Sequence, residues 1–276
     1  MAKALVLSAV LFLAACPQAE DPRTAVPETA VKATRGAEVP TPTRKSIVLA
    51  ADPWCPHNCV AGSEQEGYMI DIAREAFALA GIETEYVNMS WARAVQQARD
   101  GYVDAIVGAL PGNSPEFIFP EHAIGYSIIA LYAQPDSNWH YQGIDSLNQL
   151  TLLAINGYAY SPELDDYITR HRSDPERVWI LSGLAPLSRA IELLHQRRAD
   201  VFPEDRFVME RQLTLDPSQN LKMVAVIHES PLKIAFSSAA SDSPELAAYL
   251  SDGIKALQNT GRITEILASY GLSWSD

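Results

Sequence analysis

The sequence predicts an α/β protein of two lobes, and three observations predict it. Short apolar runs of strand length alternate with amphipathic stretches of helical period. The alternation restarts near Leu150, so that strand, helix, strand, helix occurs twice. The chain of 276 residues, less a polar N-terminal stretch, suits one large or two small units. In folds of this class the open end of the strands faces a crevice, so two facing lobes place a site between them.

Met1-Ala2-Lys3 is a short basic start, and Ala4 to Ala15 is an apolar run of signal-peptide length, too short to span a bilayer comfortably. The run ends in Leu13-Ala14-Ala15-Cys16, which resembles the bacterial lipobox. Residues 1–15 are therefore expected to be removed and Cys16 to carry lipid. The alternative is an ordinary signal peptide that happens to contain a cysteine. From Pro17 to about Lys45 the chain is rich in Pro, Thr, Ala, Glu and Arg without apolar periodicity, and residues 16–45 are expected to form a flexible tether.

From Ser46 onward each element has its own signature. Ser46 to Ala51 reads as a buried strand, and Tyr68 to Ala80 as a helix with apolar residues at steps of three and four, closed by Gly81. Glu83 to Met89 is a strand. Ser90 opens a helix through Arg99, which Asp100-Gly101 ends. Asp104 to Leu110 and Ile124 to Ala133 are strands. In the second half, Leu150 to Asn156, Val178 to Leu181 and a strand opening at Asp200 to Phe202 alternate with helices. These begin at Ser161-Pro162, span Ala185 to Arg197, and run from Asp205 to Leu213. Each lobe is expected to contain a mostly parallel sheet. Ser243 to Gln258 and Gly261 to Tyr270 are final helices, expected to pack back on the first lobe. The expected boundaries are 46–133 plus 233–276 for lobe one and 134–232 for lobe two, with crossings near Gln134 and Ile227.

Three cysteines leave one unpaired in a secreted protein, and lipidation of Cys16 removes it from the count. Cys55 and Cys59, in Trp54-Cys55-Pro56-His57-Asn58-Cys59, are expected to form a disulfide. The competing reading is a metal site using His57, for which no third or fourth ligand lies at useful spacing, so no metal is expected. A formal net charge of −13 argues against nucleic-acid binding.

Several motifs in order resemble the family 3 extracellular solute-binding proteins, receptors of ABC importers for polar amino acids. These are Ala51-Asp52-Pro53-Trp54, then Gly67-Tyr68-Met69-Ile70-Asp71 through Gly81, then Trp91 and Gly101-Tyr102-Val103-Asp104-Ala105. In the second half they are Leu147 to Gly157, and Ala199-Asp200 followed five residues on by Asp205. The resemblance covers about Ser46 to Leu272. It implies a two-lobed periplasmic-binding-protein-like fold of type II. It also implies a non-catalytic, periplasmic, membrane-anchored and monomeric receptor, without cofactor, that closes on a small polar or amine-bearing molecule and delivers it to an ABC permease. It further implies that Trp54 stacks on the ligand, that Trp91 walls the pocket, that Gly157 to Tyr160 offers backbone amides to an anion, and that Asp205 grips an ammonium group. The plainer alternatives are tryptophans that belong to the core and an Asp205 that caps the following helix.

One departure bears on the ligand. Family members that take amino acids carry an arginine, after Thr-Pro-Glu, that holds the carboxylate. Here the stretch reads Asn113-Ser114-Pro115-Glu116-Phe117, and neither Arg nor Lys occurs between Arg99 and Arg170. Arg93 is the possible substitute. Otherwise the ligand lacks an α-carboxylate, and Tyr158 and Tyr160 allow a stacking or cation–π site. Nucleophile, zinc-peptidase, phosphate-loop and calcium-loop motifs are all missing, and the six histidines are scattered. Two alternatives remain. One is an enzyme similar to the periplasmic cyclohexadienyl dehydratases, with Glu204 and Asp205 doing acid–base work. The other is a ligand-sensing subunit of a signalling protein.

Overall fold

The structure, a computed structural model, describes residues 44–111 and 116–273. Cys16, the expected signal segment and all but the last two residues of the expected tether lie outside the described residues, as do residues 113–115.

The first half builds β1 (Ser46–Ala51), α1 (Tyr68–Leu79), β2 (Glu83–Asn88), α2 (Trp91–Arg99), β3 (Ala105–Ala109) and β4 (Gly125–Ala133). The apolar face of α1, with Met69, Ile72, Ala73, Ala76 and Phe77 at helical spacing, is fully buried in one core with residues of β1 and of the two C-terminal helices. The second half builds β5 (Leu152–Ile155), α3 (Pro162–His171), β6 (Val178–Leu181), α4 (Pro186–His195), β7 (Phe202–Asp205), α5 (Arg206–Leu215), β8 (Lys222–Phe236), α6 (Ser243–Asn259) and α7 (Arg262–Ser269).

Six strands form one sheet in the order β2-β1-β3-β8-β4-β7. β1 is parallel to β2 and β3, whereas β8 runs antiparallel to β3 and β4, and β4 antiparallel to β7. The sheet is therefore mixed, not mostly parallel as the alternation of elements predicts. The cause is β8, a fifteen-residue strand that no sequence signal announces. β5 and β6 form a parallel pair. It joins the strand leading into β7 through Leu153 N–H donating to the Val201 carbonyl at 2.9 Å.

The cores fall into two sets. In the first, Ile47, Phe77, Phe236, Leu250 and Ile266 pack between the sheet and helices α1, α6 and α7. Ala50, Ala94, Ile106 and Ala235 pack on the opposite face under α2. In the second, Leu153, Leu193, Leu194, Phe202 and Met209 fill the space under α4 and α5, and Leu152, Leu164, Ile168 and Val201 that under α3. α6 approaches α1 so closely that a Cβ on Gly253 would lie 2.6 Å from that of Ala76, and only glycine fits there. β4 and β8 run through both sets: Ile124 and Leu232 belong to the first, Ile129 and Ile227 to the second.

Candidate ligand-binding cleft

The loop after β1 is pinned before it presents any side chain. Cys55 and Cys59 are bonded, Trp54 N–H donates to the Asn58 carbonyl at 2.6 Å, and Asn58 Nδ2 donates to the Asp52 carbonyl at 2.6 Å. Loop carbonyls in turn satisfy the first amides of α1: Tyr68 N–H donates to Pro56 and Met69 N–H to His57. Gly67 precedes the helix with φ 106°, and a Cβ there would lie 2.4 Å from Asn58 Cα, so the loop and the helix start are locked together.

This loop forms one wall of a cavity of about 80 Å³. Trp54 and Trp91, which pack against the first set of cores, face Tyr158 and Tyr160, which pack against the second. Val107, Leu110 and Ile129 add aliphatic surface, and Asp52, Asn58, Ser127 and Glu204 add polar groups. Gly108 sits at φ 91° with room for a Cβ only 3.4 Å from Asn58 Oδ1, so the absence of a side chain there keeps the cavity open beside Trp54.

Polar side-chain contacts cross from one set to the other. Trp54 Nε1–H donates to Glu204 Oε1 at 2.7 Å, Tyr158 O–H to Asp52 Oδ2 at 2.6 Å, and Trp91 Nε1–H to the Gly157 carbonyl at 2.9 Å. His57 Nε2 meets Asp205 Oδ1 at 2.9 Å, while its Nδ1 meets the Tyr68 hydroxyl at 2.7 Å.

The two carboxyls on the cavity wall are both buried and both shifted. Burial pushes Glu204 up to about 8, against hydrogen bonds from Trp54 and the Asp205 amide. Burial likewise pushes Asp52 up to about 7, with the Tyr158 hydrogen bond acting the other way. Glu204 Oε2 and Asn58 Oδ1 are buried without a hydrogen-bond partner.

Of the residues the sequence nominates, Trp54, Trp91, Tyr158 and Tyr160 all reach the cavity. Arg93 and Asp205 do not line it. Arg93 lies on the exposed side of α2, opposite the buried Ala94 and Ala98. Asp205 is fully buried as the N-cap of α5, its Oδ1 accepting from Phe207 N–H, Val208 N–H and His57, its Oδ2 from Ser127 and Ile128 N–H. Burial acts to raise its pKa, but His57 and these donors outweigh it and hold the carboxylate below its usual range. Its neighbour Glu204, one residue earlier on β7, takes the cavity position instead. The loop from Gly157 to Tyr160 is also less open to an anion than expected, because Tyr160 N–H donates to Asp165 Oδ1 and Tyr158 N–H to the Ile155 carbonyl. His57, the metal alternative, is engaged by Tyr68 and Asp205, and among the described residues no group of His, Cys, Asp or Glu is arranged to hold a metal ion.

Asn58, Ser127 and Gly108 carried no assigned role, and Asp52 lay in the Ala51-Asp52-Pro53-Trp54 motif without one. Asp52 had one available signal, its position directly after the carboxyl end of β1, where folds of this class place their ligands.

No protein-family model matches the sequence, and no curated protein matches it either. Solved structures do match in fold. A mutant of the arginine-binding protein ArgBP from T. maritima is 16% identical over 82% of this chain and 95% of its own, with a TM-score of 0.67. A histidine kinase sensor domain with similarity to periplasmic binding proteins is 18% identical over 82% and 96%, with a TM-score of 0.66. The ancestral amino-acid-binding protein AncCDT-1, a precursor of cyclohexadienyl dehydratase, is 16% identical over 82% and 95%, with a TM-score of 0.63. The chain has the two-lobed α/β fold of the type II periplasmic binding proteins.

Proposed function

We propose that the chain is an extracytoplasmic solute-binding receptor, which captures a small polar or amine-bearing molecule between its lobes and passes it to an ABC permease. The observation that carries this reading is the cavity itself. Its walls come from two separately packed sets of cores, it is lined by four aromatic rings, and only a few polar groups reach it. In this reading the hinge is the β4–β8 ribbon, between Ile124 and Ile129 on one strand and Ile227 and Leu232 on the other. A ligand touching both walls favours the closed arrangement because only that arrangement makes both sets of contacts. The lipobox-like Leu13-Ala14-Ala15-Cys16 supports a membrane-anchored periplasmic form, tested by mass spectrometry of the membrane-extracted protein. An unmodified Cys16 would end that part of the reading.

The direct test is a thermal-shift screen of amines, amino acids, sugars and other small polar compounds, followed by calorimetric titration. One-to-one binding is expected, accompanied by a change in tryptophan fluorescence from Trp54 and Trp91 and weakened by Trp91→Ala. A protein that binds no small molecule, or a Trp91→Ala variant that binds like the parent, counts against the assignment.

A second reading is an enzyme of the same fold. It is favoured by Glu204, a carboxyl kept protonated near neutral pH with one oxygen unpartnered on the cavity wall, which suits a general acid. Steady conversion of the bound molecule, abolished by Glu204→Gln, would establish it over the receptor.

A further inference from the structure

We propose that the cleft selects an organic cation that carries no carboxylate, its donor-bearing head seated against Glu204 and Asn58 and flanked by the Trp54 and Tyr158 rings. The proposal rests on the receptor reading above and names the class of molecule that site would take.

The polarity of the cavity is fixed by Asn58. Its Nδ2 is committed to the Asp52 carbonyl, so Oδ1 is the atom left buried without a partner, and Oδ1 can only accept. Glu204 Oε2 is unpartnered in the same cavity, and both residues are only 1% exposed. The buried amide oxygen of Asn58 is costly to leave unmet, so the molecule that completes this site brings N–H or O–H groups to it, and Glu204 Oε2 becomes a second acceptor once its proton has left. Apolar contact cannot replace them.

The same wall offers no cationic side chain to a carboxylate. Among the described residues, no Arg, Lys or His lines the cavity. Nor does the sequence between Arg99 and Arg170, which contains the stretch from Leu110 to Phe117, supply an Arg or Lys. Several backbone amides near the cleft are already spent: Tyr160 N–H on Asp165, Leu164 N–H on Ser161 Oγ, Asp205 N–H on Glu204, and Ile128 N–H on Asp205. An anion entering would also sit beside Asp52 and Glu204. A cation instead favours the ionised forms of these carboxyls and meets aromatic faces that attract positive charge and exclude water.

Glu204 is protonated before binding at pH 7, and the approach of a cation reverses the balance that burial sets. The carboxyl then loses its proton to solvent and pairs with the ligand as carboxylate. Uptake of the cation is thus coupled to release of a proton.

Calorimetric titration of the full chain with matched pairs differing only in the α-carboxylate tests the idea: agmatine against arginine, cadaverine against lysine, histamine against histidine. In at least one pair the amine is expected to bind tenfold or more tightly than its amino acid. At pH 7 its binding heat should depend on the ionisation enthalpy of the buffer, as proton release requires. Glu204→Gln, which keeps the shape of the neutral acid, should lose at least tenfold for that amine. An amino acid that binds as well as its amine overturns the proposal and leaves the receptor reading standing, as does a sugar or other neutral compound binding where no amine does. Unchanged amine affinity in a folded Glu204→Gln overturns the assignment to Glu204. A chain that binds no compound of any class overturns both readings, and the parent measurements decide this even if the variant does not fold.

Discussion

Raising the pH from 5 to 8 should weaken the fold, and Glu204 should be the main reason. Its carboxyl titrates near 4.5 when exposed and at about 8 in the folded protein, because burial disfavours the charged form. Between those values the folded protein holds a proton that the unfolded chain has released. Stability from this group is therefore full below the unfolded value and is lost as pH rises through the folded one. Each unit of pH in that window costs up to about 1.4 kcal/mol per proton so held. From pH 5 to pH 7 Glu204 alone should remove about 2 to 3 kcal/mol, or roughly 5–10 °C in Tm for a unit of this size. Asp52, raised to about 7, acts in the same direction. Asp205, held low, contributes stability that is present above its unfolded value and lost only at more acid pH, so it adds no slope here. The assay is urea unfolding at half-unit steps of pH for the parent and for Glu204→Gln. Groups common to both proteins cancel in the difference, which should flatten by about 2 to 3 kcal/mol over the two units. Parallel curves for parent and variant would refute the assignment of a buried, protonated Glu204.

Three further outcomes follow from the packing. Trp54→Phe removes the indole donor to Glu204 Oε1 and should destabilise by about 1–3 kcal/mol in urea unfolding, with a larger loss at pH 8 than at pH 5. Gly253→Ala places a methyl 2.6 Å from the Ala76 Cβ at ordinary helical φ, so the cost is pure overpacking, about 1–3 kcal/mol, and a variant as stable as the parent would deny the α1–α6 contact. Non-reducing peptide mapping should recover Cys55 and Cys59 in one linked peptide, and replacing both by serine should lower stability by about 2 kcal/mol, the value for so short a loop.

The elements with strong period were readable from the sequence, and so were the four aromatic residues of the cavity. α1 shows why: its buried residues recur at three and four, and its glycine flanks mark both ends. β8 was not readable for an equally plain reason. It carries Pro231 and the polar run His228-Glu229-Ser230, and much of it is only half-buried, so neither strict alternation nor an apolar run marks it. Asp205 and Glu204 differ by one position, and at a strand–helix junction that position decides the role. The last strand residue turns its Oδ1 onto the first amides of α5, while the residue before it faces the cavity. Motif spacing points to the pair but does not separate a cap from a wall. Arg93 shows the same limit on a helix, where the one-residue step to Ala94 turns from solvent to core.

The position of β8 late in the chain has a consequence for the order of assembly. β3 gains its second neighbour only when residues 233–236 exist, and the space under α1 closes only when α6 and α7 have been made. The portion synthesised first thus emerges with its apolar faces open and stays so until nearly the whole polypeptide is available. Contacts this distant in sequence form slowly, since a long loop must close before they reward it. Residues 152–221, by contrast, carry most of their own packing partners locally. Maturation should run from the middle of the chain outward, with the two ends meeting last.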